Sequence, residues 1–123
     1  PWPDWPITQL PYWRDSFIGL INSGRAWMEW INDYSTGENL MLDVIAFQNH
    51  TFQPEIGHLL SGEEQLGMMY MSRENYEGAL PLFLYADSLR PNRFWLLWNV
   101  GFCAENTQNE ELATEYYTKL VKL

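Results

Sequence analysis

The residue types that usually perform catalysis or bind metals are few in this chain and poorly spaced. His50 and His58 stand eight positions apart with Glu55 between them, which is neither a zinc-binding spacing nor a convincing acid–base pair. Cys103 has no histidine or basic residue beside it, so we expect an inert, buried thiol. No serine lies in a Gly-x-Ser-x-Gly elbow, and no glycine-rich segment leads to a phosphate-binding lysine. We therefore expect no catalytic residues, no metal site and no cofactor.

Composition narrows the class of partner. The 123 residues include sixteen acidic and seven basic side chains, a formal charge of −9, which disfavours nucleic acid and anionic membrane surfaces. Aromatic residues make up 16% of the chain, more than a small core needs, so we expect some of them to meet a protein or peptide partner.

No apolar run approaches the length of about 20 residues that spans a bilayer, so we expect no membrane insertion in this segment. The sequence begins at Pro1 without a methionine, and we expect a trimmed or processed product. We expect a cytoplasmic location, with a periplasmic or other extracytoplasmic domain of an anchored protein as the alternative. One cysteine is compatible with a reducing compartment without requiring one.

Hydrophobic spacing predicts an all-α protein of about six helices. A Pro/Trp-rich arm (1–14) precedes a helix pair (15–59), whose first helix begins at Asp15 and whose second opens with a capping box at Ser35 and Glu38. A single helical turn is predicted at Pro54. Four further helices occupy 60–123, and they begin near residues 61, 75, 93 and 110.

The second half of the chain repeats with a period of 34 residues, typical of helix–turn–helix solenoids. Residues 60–93 align with 94–123, which pairs Gly67 with Gly101, Ala79 with Ala113, and Asn75 with Asn109. We expect Gly67 to face Ala79, and Gly101 to face Ala113, where the two helices of each unit cross. Further matching positions are Leu66 with Val100, Leu82 with Tyr116, and Phe83 with Tyr117.

These positions resemble the tetratricopeptide repeat family. The first unit supplies Leu66, Gly67, Tyr70, Ala79, Phe83, Ala86 and Pro91, and the second supplies Val100, Gly101, Ala104, Ala113, Tyr117 and Leu120. The resemblance implies a helical-hairpin solenoid that binds proteins and is not an enzyme. It covers about half the chain; the 15–59 pair is interpreted either as a degenerate repeat or as a cap on the stack.

In this family the first helix of each unit lines a concave groove, which implies a set of partner-binding residues here: Glu64, Met68, Met71, Trp95, Trp98, Asn99, Phe102 and Glu105. An apolar, methionine-containing groove with an acidic edge suits an apolar or amphipathic segment. A clamp for a carboxylate tail is disfavoured, since only Asn99 is of the required type. The alternative is that Trp95, Trp98 and Phe102 are core residues, covered by other helices or by the arm.

Within the family, the chain is similar to the small acidic chaperones of type III secretion, through the run from Asn92 to Trp95 and on to Gly101–Cys103. The Trp/Pro-rich start and the presence of two clear repeats rather than three depart from their pattern. A sensory or assembly domain of a larger, membrane-anchored regulator is the alternative function. Exposed apolar surface also suggests a homodimer.

Overall fold

A computed structural model of the protein describes residues 11–50 and 61–123, and these residues form six α-helices and no strand. The all-α, helical-hairpin class predicted from the sequence is therefore confirmed. The helices are α1 (Pro11–Asn32), α2 (Tyr34–His50), α3 (Gly62–Ser72), α4 (Tyr76–Leu89), α5 (Phe94–Asn106) and α6 (Glu110–Val121). Most of the Pro/Trp-rich arm (residues 1–10) and the turn predicted at Pro54 lie outside the described residues.

The first two helices differ at their starts from the sequence prediction. Helix α1 begins at Pro11, four residues before Asp15, because a proline at the first helical position has no amide hydrogen to lose there. Helix α2 is capped by Asp33 rather than by Ser35: the Asp33 carboxylate accepts from the Ser35 amide at 3.1 Å and from the Thr36 hydroxyl at 2.7 Å. Both bonds lower the pKa of Asp33, and the bond from the Thr36 hydroxyl has the larger effect.

The chain divides into two compact units, residues 1–62 and 63–123. In the first unit, α1 packs on α2 through buried side chains that include Ala26, Met41 and Val44. The two backbones approach closely at Gly37, where a Cβ would lie 2.5 Å from the Cα of Trp30. Only a residue without a side chain fits against a neighbouring backbone at that distance.

In the second unit, the α3–α4 and α5–α6 turns have the same geometry, 34 residues apart. Glu74 and Gln108 adopt left-handed φ values of 61° and 62°. The amides that follow them, from Asn75 and Asn109, each donate to a backbone carbonyl five residues earlier at 2.8 Å. The same two asparagines then cap α4 and α6 with their side chains. The sequence period of 34 is thus a period of the backbone as well.

Each hairpin is closed by a ring that packs on a glycine. A Cβ at Gly67 would lie 2.9 Å from the ring of Phe83, and a Cβ at Gly101 would lie 2.6 Å from the ring of Tyr117. The side chain that faces each glycine is therefore the aromatic one, a turn beyond Ala79 or Ala113, rather than the expected alanine. Glycine is needed because the ring occupies the space that a methyl group would fill.

A buried carboxylate connects the two hairpins. Asp87 in α4 accepts a hydrogen bond of 2.9 Å from the Tyr116 hydroxyl in α6, and its other oxygen lies 3.4 Å from the Asn92 amide in the α4–α5 turn. Asp87 and Tyr116 are both buried. Since an unpaired carboxylate at this position would lose its hydration without compensation, these bonds fix how α6 lies on α4.

We predict that Gly67→Ala destabilises the protein by roughly 1–3 kcal/mol, because the methyl group overpacks against the buried Phe83 ring. Chemical denaturation followed by circular dichroism measures the change. The reference is the same substitution made in a Phe83→Leu background. With the ring removed, we expect Gly67→Ala to lower the free energy of unfolding by less than it does in the wild type. Equal costs with and without the ring would show that this contact does not set the helix spacing.

Candidate functional site

The predicted groove residues of α5 lie on one side of that helix and meet solvent. Trp95, Trp98 and Phe102 follow each other at spacings of three and four residues, with Trp95 69% exposed and Trp98 41% exposed. Phe102 is half-buried. The opposite side of α5 is fully buried, through Leu96, Leu97, Val100, Cys103 and Ala104. The two tryptophans are therefore not core residues of the second unit.

Two rings from other helices flank this row, and sequence reasoning assigned neither to the site. Trp98 stacks on Phe102, with ring centroids 6.1 Å apart and planes inclined by 22°, and lies 5.9 Å from the Tyr117 ring of α6. Tyr76, the first residue of α4, meets Phe102 edge-on at 5.6 Å. Tyr117 comes from α6, the hairpin partner of α5, and Tyr76 comes from α4, which also packs on α5. Together Trp95, Trp98, Phe102, Tyr76 and Tyr117 form what we call the aromatic face.

One end of the aromatic face is acidic. The exposed carboxylate of Glu105 accepts a hydrogen bond of 2.8 Å from the Tyr117 hydroxyl, which orients the Tyr117 ring against Trp98. Burial raises the pKa of Tyr117 to about 12, and the bond to Glu105 adds to the shift. Tyr117 therefore remains a neutral donor at physiological pH.

The other predicted site residues differ in how far they are exposed to solvent. Glu64 is buried, and its carboxylate meets the Arg93 guanidinium at 2.6 Å, so it is an internal ion pair and not an exposed acidic edge. Met68 is exposed on α3, Met71 packs partly against the core, and Asn99 is half-buried on α5. An ion pair across 29 residues has no local sequence pattern that would have revealed it.

Other chemistry in the described residues is limited. Cys103 is buried, and burial raises the pKa of its thiol to about 12, which keeps it in the unreactive protonated form. Within residues 11–50 and 61–123, no group of three His, Cys, Asp or Glu side chains is arranged to hold a metal ion. His58 and Glu55 lie outside that range. Among the described helices, none is long and apolar enough to cross a bilayer.

No protein-family model, curated protein or solved structure matches this chain.

We predict that the second unit loses stability at alkaline pH. Burial raises the pKa of Tyr116 from 10.0 to about 12, and its bond to Asp87 adds to the shift; Tyr117 and Cys103 are also raised to about 12. An unfolded chain ionises these groups at lower pH, so the stabilisation is complete below about pH 9 and is lost as pH rises through 12.

Phenolate absorbance and helical circular dichroism, recorded in one titration, test this prediction. We expect the last tyrosines to ionise together with the loss of helix, and Tyr117→Phe to raise the pH at which unfolding occurs. Ionisation of all seven tyrosines near pH 10 with full helicity retained would contradict the assigned burial.

Proposed function

We propose that this protein is an interaction module that binds an apolar or amphipathic polypeptide segment on the aromatic face of its second unit. The observation that carries the proposal is the exposure of Trp95 and Trp98 on a helix whose opposite side is already fully buried. Exposed tryptophan contributes nothing to the core of this unit. Tryptophan and tyrosine are the residues that most often dominate the binding energy of protein interfaces.

The aromatic face is held in place before any partner arrives. Trp98 contacts both Phe102 and Tyr117, and the Tyr117 hydroxyl is fixed by Glu105. Rings that are already oriented lose little conformational entropy on binding. Met68 is exposed on α3, the first helix of the other hairpin. It offers a flexible apolar side chain for partners of varied shape.

The charge of the site favours a partner that is both apolar and basic. Glu105 lies one turn from Phe102, and the whole chain carries a formal charge of −9. Lysine or arginine beside the apolar side chains of a partner would meet Glu105 and could stack on the tryptophan faces. An acidic segment would be repelled.

The resemblance to tetratricopeptide repeats supports this proposal, since the first helices of such hairpins line a protein-binding groove. A narrower form is a chaperone that shields an apolar segment of a client before assembly or export, as the similarity to type III secretion chaperones suggests. The repeated hairpin turns and glycine–ring contacts favour the repeat interpretation over an accidental likeness.

A designed peptide provides the first test: a 16-residue amphipathic helix with leucine on one face and lysine beside it. Two controls accompany it, a scrambled peptide of identical composition and an analogue with glutamate in place of lysine. We expect calorimetric titration to show binding of the first peptide only, and Trp98→Ala to weaken it by at least about tenfold, which corresponds to 1.4 kcal/mol.

Tyr85→Ala is the matched control, because Tyr85 is an exposed aromatic residue of α4, outside the aromatic face. The Tyr85→Ala variant should bind the leucine–lysine peptide with the same affinity as the wild type. Thermal melts establish that both variants remain folded. Equal weakening by Trp98→Ala and Tyr85→Ala, or equal binding of the scrambled peptide, would count against a defined site.

A further inference from the structure

Helix α1 has a second apolar side that is exposed in the described part of the first unit. Its buried side, with Ser23, Ala26 and Trp30, packs toward α2. On the opposite side, five large apolar side chains expose between 50 and 81% of their surface: Phe17, Leu20, Ile21, Met28 and Ile31. An exposed apolar stripe of this length marks an interaction surface.

The stripe has the spacing of a helix–helix seam. Phe17, Ile21, Gly24, Met28 and Ile31 succeed each other at intervals of four and three residues, the 3.5-residue period that keeps one helix against another. From Phe17 to Ile31 the seam is about 21 Å long. The charged residues in this stretch, Arg25 and Glu29, lie about 100° and 140° around the helix from Gly24, outside the seam.

The seam is symmetric about its centre. Relative to Gly24, apolar residues stand at three, four and seven positions on each side: Ile21 and Trp27, Leu20 and Met28, Phe17 and Ile31. Two copies placed antiparallel around a two-fold axis at Gly24 would therefore match apolar side chains along the whole length. A self-complementary patch of this kind is what an isologous dimer requires.

Packing within the described part of the first unit does not require a glycine at position 24, since a Cβ there would meet no atom within 4 Å. A glycine inside a helix costs roughly 0.5–1 kcal/mol relative to alanine. At the centre of a helix pair it allows the two backbones to approach closely, and the interaxial distance depends on the side chains at the contact.

We infer that α1 is the interface of a symmetric, antiparallel homodimer centred on Gly24. A charged partner is disfavoured because the seam offers no charge to pair with. Two chains of formal charge −9 repel each other overall, but the seam lets them meet where neither presents a charge. This surface is separate from the aromatic face, so the inference stands or fails independently of the proposed function.

Sedimentation velocity over a dilution series tests the oligomeric state against the monomer mass of 14.6 kDa. We expect a concentration-dependent species of twice that mass, and Ile21→Glu should raise its dissociation constant by at least about tenfold. Leu89→Glu is the control, since Leu89 is an equally exposed apolar residue on α4, and it should leave the dimer intact. Circular dichroism verifies that both variants fold.

Cysteine crosslinking tests the orientation. In an antiparallel pair Phe17 faces Ile31 of the second copy, so a mixture of Phe17→Cys and Ile31→Cys chains should form a disulfide. Phe17→Cys alone should not, because its two copies lie about 21 Å apart. The native Cys103 is buried and stays in place. A monomer at every concentration, a dimer insensitive to Ile21→Glu, or crosslinking by Phe17→Cys alone would overturn the inference.

Discussion

In each hairpin of the second unit an aromatic ring packs on a glycine, and the rest of that unit depends on the helix spacing that this contact sets. Phe83 on Gly67 and Tyr117 on Gly101 set the distance between the two helices of each pair. With that distance fixed, α5 buries Leu96, Leu97 and the rest of one side completely. Its remaining apolar residues then have no place in the core and point to solvent.

Two of the six described helices are apolar on more than one side, and each lies in a different unit. A helix that is apolar around most of its circumference is normally enclosed by protein. Helix α5 leaves Trp95 and Trp98 exposed, and α1 leaves the Phe17–Ile31 seam exposed. The first surface is bordered by Glu105 and stacked rings, whereas the second is uncharged and symmetric. Their chemistry therefore suits different partners.

Acidic side chains serve two separate purposes in the second unit. Glu64 and Asp87 are buried, and they pair with Arg93 and Tyr116, each across 29 residues. Pairing of this kind offsets the cost of removing a buried carboxylate from water, so its net contribution to stability is small. Glu105, by contrast, is exposed beside the rings. Composition alone cannot separate these two groups, because every carboxylate contributes equally to the net charge.

The sequence by itself determined the all-α class, the starts of the four helices of the second unit to within about a residue, and the period of 34. Those features depend on local patterns: apolar spacing, asparagine caps such as Asn75 and Asn109, and glycine positions. It did not determine that Glu64 is buried, that Asp33 rather than Ser35 caps α2, or that Tyr76 and Tyr117 join Trp98 and Phe102. The cap depends on which of two neighbouring side chains reaches the free amides, and the other outcomes depend on contacts between helices. Only the tertiary structure decides those contacts, because packing distance and side-chain direction are properties of paired helices and not of any one segment.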